Sequence, residues 1–136
     1  MFRSYAALDK SSRIRKAEKI VKILFKHKNI KKCKILDIGC GSGYLGRILH
    51  KKSKQYIGID FVDERKVRGF NFMRTDALNV PLKDNSFDII VCNHVIEHVT
   101  NQKKLLQEIS RLLKKDGICY MTCPNRLWPI EPHLKL

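Results

Sequence analysis

The sequence predicts an α/β fold, a doubly wound parallel sheet flanked by helices. Three observations carry that prediction. Short apolar runs alternate with helical patterns along most of the 136 residues. The run FDIIVC (87–92) is apolar on both faces, as a central parallel strand must be. The stretch ILDIGCGSGYLG (35–46) places four glycines in eight positions directly behind an apolar run, where a strand gives way to a ligand-binding turn in such sheets.

Taken in order, Ile14, Ala17, Ile20, Val21, Leu24 and Phe25 recur at helical spacing, with Ser11 and Ser12 as capping candidates, so a helix is expected over about 12–27. KILDI (34–38) is a buried strand, 44–52 a helix, QYIGID (55–60) a second strand and GFNFMR (69–74) a weaker third. Pro81 bars a helix, Asp84-Asn85-Ser86 is turn chemistry, and the fourth strand follows. Leu105, Leu106, Ile109, Leu112 and Leu113 mark a helix of about 101–114, ended by Gly117 as a left-handed C-cap. ICYMTC (118–123) is the fifth strand, stopped by Pro124, and the proline-rich stretch 124–136 is expected to be irregular. There is no internal repeat and no linker. Right-handed crossovers then give the strand order 3-2-1-4-5, with the winding reversed between strands one and four.

Composition narrows the class. A hydrophobic content of 43% is that of a globular domain. No apolar run approaches the ~18 residues of a membrane span, and no secretory signal precedes the first helix. A cytoplasmic location is the expectation. The five cysteines, Cys33, Cys40, Cys92, Cys119 and Cys123, are odd in number and lie in apolar contexts, which points to buried free thiols. The net charge of +15 is concentrated early: residues 1–34 hold twelve Lys and Arg against Asp9 and Glu18. Such a field attracts nucleic acid, anionic lipid or acidic partners. A solvated helix face explains it more simply, and no aromatic residues interleave to stack on bases. Nucleic acid is therefore the less favoured partner.

Three ligands compete for the glycine turn. A phosphate-binding loop would end in Gly-Lys-Ser/Thr, whereas Gly43 is followed by Tyr44. A dinucleotide fits Gly41-Ser42-Gly43-Tyr44-Leu45-Gly46, with Asp60 nineteen residues after Gly41 as the ribose acid. Against it stands Asp37, an acid at the strand end where a pyrophosphate would be repelled. A cationic ligand would welcome that acid.

The stretches ILDIGCGSG, YIGID, RTDALNVPLKDNSFDIIVCNHVIEHV and LLQEISRLLKKDGICYMTCPN, covering about residues 33–125, resemble the class I S-adenosylmethionine-dependent methyltransferases. The likeness is to their small-molecule, methyltransferase type 11-like group. The resemblance implies a Rossmann-like sheet, S-adenosyl-L-methionine as cofactor, and methyl transfer to a small-molecule acceptor. It implies that Gly39, Gly41 and Gly43 let the backbone lie against the cofactor, with Cys40 and Phe61 beside it. Asp37 would face the cationic methionine end, Asp60 would accept the two ribose hydroxyls, and Asp76 with Ala77 would flank the adenine. Asn93 and His94 would border the methionine and the transferred methyl. Asp88 is instead expected to be structural.

Methyl transfer needs alignment above all, and a base only for a protonated nucleophile. His94, His98 and His133 are candidate bases. His94-Val95-Ile96-Glu97-His98 also fits an inverted zinc-protease motif, but it follows a buried strand too closely to form the required helix, and no metal is expected. Cys119 and Cys123 would lie too far apart along a strand to share an ion. The family fold continues past strand five, whereas this sequence stops thirteen residues after Cys123. A C-terminally truncated domain is therefore expected, with strand five an edge covered by the tail, a second copy or a partner chain. The other functional reading is a non-catalytic cofactor-binding remnant acting as a regulatory or interaction protein.

Overall fold

The structure, a computed structural model, describes residues 2–122 and 133–135, and the side chains of residues 10–122. Helix α1 (Phe2–His27) leads through a short turn at Ile30–Lys32 into strand β1 (Lys34–Ile38). Helix α2 (Tyr44–Lys52) and strands β2 (Gln55–Asp60) and β3 (Asn71–Arg74) follow. Strand β4 (Phe87–Asn93), helix α3 (Gln102–Leu112), strand β5 (Leu113–Thr122) and strand β6 (His133–Lys135) complete the order. The sheet runs β3-β2-β1-β4-β5-β6. The first five strands are mutually parallel in the expected order, with the reversal between β1 and β4.

Apolar side chains on both faces of the central strands explain this layering. Leu24, Ile30, Ile35, Leu49 and Ile89 pack on the α1–α2 face. Leu36, Ile38, Ile90, Leu105, Ile109 and Leu112 pack on the α3 face. Each such fully buried side chain stabilises by about 1.5–3 kcal/mol through its transfer from water. Asn101 caps α3, its side chain accepting from the Lys104 amide at 3.0 Å. Asp88 accepts from the Lys34 amide at 2.8 Å and lies 3.3 Å from the Lys114 ammonium, so it ties three neighbouring strands together. Cys33, Cys40, Cys92 and Cys119 are buried free thiols; Cys123 lies outside the described residues.

Several expectations are corrected. Helix α1 begins at Phe2, not near residue 12, so Ser11 and Ser12 are interior; the upstream Tyr-Ala-Ala-Leu sequence favours continuing the helix. Its buried stripe is Ala17, Ile20, Val21 and Leu24, whereas Phe25 is 42% exposed. Gly117 is no left-handed cap: its φ is not positive, and α3 ends when Leu113 turns directly into extended backbone (φ −74°, ψ 139°). Strand β5 therefore starts at Leu113 and bulges against β4 between Phe87 and Ile89, with Gly117 in the bulge. Of the coverings expected for the edge of strand β5, it is the chain's own tail that lies there. The antiparallel pairs Ile118↔Lys135, Cys119↔Leu134 and Tyr120↔His133 cover its outer backbone over residues 118–120. The expected irregular tail holds a strand at 133–135, and its remainder lies outside the described residues.

Candidate functional site

The carboxyl ends of β1, β2, β3 and β4 converge on one rim. At the end of β1 the chain turns back: the Gly39 and Cys40 amides both donate to the Ile59 carbonyl, at 2.8 and 3.0 Å. Gly39, Gly41 and Gly43 have φ values of +70°, +53° and +91°, a region that L side chains adopt only with strain. The crowding differs among them. A Cβ on Gly39 would collide with Val95, and one on Gly43 would come within 2.9 Å of both the Phe70 ring and the Val67 carbonyl. Only at Gly41 is the space open, its nearest neighbour being the Gly39 carbonyl at 3.9 Å. Two glycines are thus required by the chain's own packing, and one leaves room for a ligand.

Asp60, at the end of β2, uses both oxygens. Oδ2 accepts from the Gly41 amide and Oδ1 from the Phe61 amide, each at 2.9 Å. Ionised carboxylate oxygens have further lone pairs, so two hydroxyl donors can still be accepted. From Asp60 opens a cleft of about 410 Å³, lined among others by Gly39, Phe61, Asp76, Ala77, Val95 and Val99. Asp76 Oδ1 accepts from the Leu78 amide at 2.9 Å, which orients the carboxylate at that wall.

Gly39 also borders a second pocket of about 120 Å³, which Asp37, Cys40, Tyr44, Asn93, Arg13 and Lys16 help to line. Asp37 is 2% exposed. Its Oδ2 accepts from the Tyr56 hydroxyl at 2.6 Å. Burial pushes the carboxyl up to about 7; the Tyr56 hydrogen bond works against that rise, and the Asp60 charge adds to it. Burial also raises Cys40, to about 12, so this thiol is neutral and no nucleophile. Asn93 Oδ1 is held by the Thr122 hydroxyl.

The histidines sit less centrally. His94 has φ +56°, its amide donates to the Thr122 carbonyl at 2.9 Å, and its half-exposed ring lines neither cavity. His98 lines the larger cleft. Both rings approach Glu97 Oε1, at 3.7 Å from His94 Nδ1 and 3.6 Å from His98 Nε2. Residues Ile96–His98 form one short 3₁₀ turn rather than a helix presenting two imidazoles to one ion. The side chain of His133 lies outside the described residues.

Sequence reasoning missed two supports. No sequence signal singles out Tyr56, whose ring fits among the apolar residues of β2. Arg111 and Glu108 hold the segment after Asp76: the guanidinium donates to the Val80 and Leu82 carbonyls at 2.9 and 2.8 Å, and Glu108 Oε2 accepts from the Val80 amide at 2.8 Å. An Arg three residues after a Glu in a helix was the visible signal.

A family model described as a methyltransferase domain matches residues 36–121. An uncharacterized methyltransferase, YcgJ of Bacillus subtilis, is 32% identical over 95 residues, covering 62% of this chain and 38% of its own. A protein named as a probable S-adenosylmethionine-dependent methyltransferase in Mycobacterium tuberculosis is 31% identical over 100 residues, 68% of this chain and 36% of that one. The ubiquinone biosynthesis O-methyltransferase of Actinobacillus pleuropneumoniae is 30% identical over 108 residues, 68% of this chain and 46% of that one. The chain therefore spans less than half the length of each of these curated relatives. The crystal structure of YcgJ superposes with a TM-score of 0.65 at 26% identity, over 73% of this chain and 47% of that one.

Proposed function

The chain belongs to the class I S-adenosylmethionine-dependent methyltransferase family, and on that premise we propose that it binds S-adenosyl-L-methionine along this rim and transfers its methyl group to a small-molecule acceptor. The observation that carries the proposal is Asp60. Its two oxygens are fixed by the Gly41 and Phe61 amides on a cleft that Asp76 also lines. Two carboxylates on one cleft suit a ribose held by one of them and an adenine held by the other. The open space over Gly41 is what a ligand lying on the backbone needs.

In this reading Asp60 accepts the ribose hydroxyls, Asp76 and Ala77 flank the base with Phe61 against it, and Asp37 with Asn93 receives the methionine end. The bound cofactor supplies a methyl carbon already activated by its sulfonium. The residues contribute alignment and exclusion of water: Gly39 joins the two cavities, and Val95 and Val99 give the larger cleft an apolar wall. His98, on the cleft wall beside Glu97, is better placed than His94 for an acceptor that must lose a proton. An O-methyltransferase among the relatives supports a small organic acceptor.

Isothermal titration with S-adenosylhomocysteine and with NAD tests the proposal. Binding of the first and not the second is expected; preference for NAD would overturn it. Release of S-adenosylhomocysteine from S-adenosylmethionine over a panel of small hydroxyl, amine and carboxylate acceptors then tests the transfer itself.

A further inference from the structure

Tyr56 lies on β2, four residues before Asp60 and below the ligand rim, yet the chain is arranged around its hydroxyl. Gly58 stands opposite Asp37 in the β1–β2 register. A Cβ there would meet Cys40 Sγ at 2.9 Å and the Tyr56 oxygen at 3.1 Å, and one on Gly46 of α2 would meet that oxygen at 2.6 Å. Two glycines on two elements therefore leave the room this phenol occupies. Its ring is seated edge-to-face on Phe70 at 5.4 Å. Tyr56 is 2% exposed, and its hydroxyl donates to Asp37, the one buried carboxyl among the described residues.

We propose that Tyr56 is a positioning residue for the cofactor: by donating to Asp37 Oδ2 it holds that carboxylate in its ionised form, so that Oδ1 meets the cationic methionine end. The proposal rests on the methyltransferase reading above. A phenylalanine would fill the same apolar seat, so packing alone gives no reason for the hydroxyl. A hydrogen bond to the charged form of an acid favours that form, whereas burial disfavours it. Without the hydroxyl, Asp37 would face a cationic ligand as a neutral acid.

The groups facing Asp37 from its neighbours fit this balance. Burial keeps the Cys40 and Cys92 thiols neutral, and the Asp60 charge opposes ionisation. From α1, Arg13 and Lys16 line the same pocket, as does Tyr44 from α2. The sign follows. Below about pH 7 the unliganded protein holds Asp37 protonated, so binding a cation there expels a proton and affinity rises with pH. Above that value no proton is released and the curve flattens.

Titration calorimetry with S-adenosylhomocysteine, between pH 6 and 9 and in two buffers of different ionisation enthalpy, reads this directly. The wild-type chain should release close to one proton at pH 6, its affinity climbing by up to about tenfold per pH unit before levelling. In Tyr56→Phe the climb should shift to higher pH, with a loss of about tenfold or more at pH 6.5 and little at pH 9. Tyr56→3-fluorotyrosine, a stronger donor of nearly the same shape, should shift the climb to lower pH and serves if the phenylalanine variant does not fold. A merely structural tyrosine would lower affinity by the same factor at every pH; parallel curves, or no proton release by the wild type, would overturn the inference and leave the cofactor assignment standing. No binding by the wild type at any pH would sink both.

Discussion

The Asp60 carboxylate is anchored to the amide of Gly41, nineteen residues before it in the chain and 2.9 Å away. The bond joins the end of β2 to the turn after β1, so one side chain both shapes the glycine loop and faces the cleft. Asp60→Ala should lose about 2–4 kcal/mol of S-adenosylhomocysteine affinity by calorimetry, the cost of a charged acceptor of two hydrogen bonds. Asp60→Asn should fall between, since an amide offers one acceptor oxygen. Wild-type affinity in the alanine variant would contradict the assignment.

The glycines should separate stability from binding. In Gly43→Ala the new Cβ would press on Phe70 and the Val67 carbonyl at a φ of +91°, so a loss of at least about 1–3 kcal/mol in urea unfolding is expected. In Gly41→Ala the space is open, and only the left-handed backbone cost of about 1–2 kcal/mol applies. Its larger effect should appear as lost cofactor affinity, because the methyl group would occupy the ligand's place.

Asp37 should make the unliganded fold less stable as pH rises. Its carboxyl is raised to about 7 from 3.8; the unfolded chain therefore sheds this proton first, and stability drains between about pH 4 and pH 7. The shift corresponds to a deficit on the order of 4 kcal/mol, complete above pH 7. Asp37→Asn removes the titration, so it should be the more stable protein at pH 8 and lose that advantage near pH 4. Chemical denaturation at the two pH values checks the crossover. The same variant should bind S-adenosylhomocysteine more weakly.

The Arg111 clamp predicts a local effect. Arg111→Ala removes two donors to backbone carbonyls and frees Glu108 from its partner. A destabilisation of about 1–3 kcal/mol is expected. Hydrogen exchange should quicken at the Val80 amide, which Glu108 holds, well before it does at Ile90 in the central strand.

Much of this was legible because the central strands obey one rule over short distances. KILDI and QYIGID are strands over the same residues in sequence and structure, as is the helix at 44–52. Buried parallel strands announce themselves as apolar runs, and glycines mark their ends. The errors came where local preference was overridden. Ser11 and Ser12 look like a helix start, but nothing upstream breaks the helix. Gly117 looks like a cap, but the chain leaves α3 through an extended Leu113. Strand β6 was hidden because its partner, β5, supplies the reason for its existence. At the site, Asp60 is legible from its spacing after Gly41 and Asp37 from its place before Gly39, whereas Asp76 is implied only by the family resemblance. Tyr56, Glu108 and Arg111 were not legible, because each acts on a residue at least one element away.

The glycine turn does not own its shape. Gly39 is fitted to Val95 beyond β4, and Gly43 to Phe70 and Val67 before β3. A piece of the chain ending at residue 60 would keep the whole motif, both of its acids and the bonds to Ile59 and Asp60, and still lack the side chains to which Gly39 and Gly43 are fitted. The pocket therefore depends on the segments around Phe70 and Val95 being in place, and ligand binding should report their docking on the sheet rather than formation of the loop alone. By the same logic, the motif found alone in another sequence signals this site only when bulky partners for its first and third glycines can be found downstream.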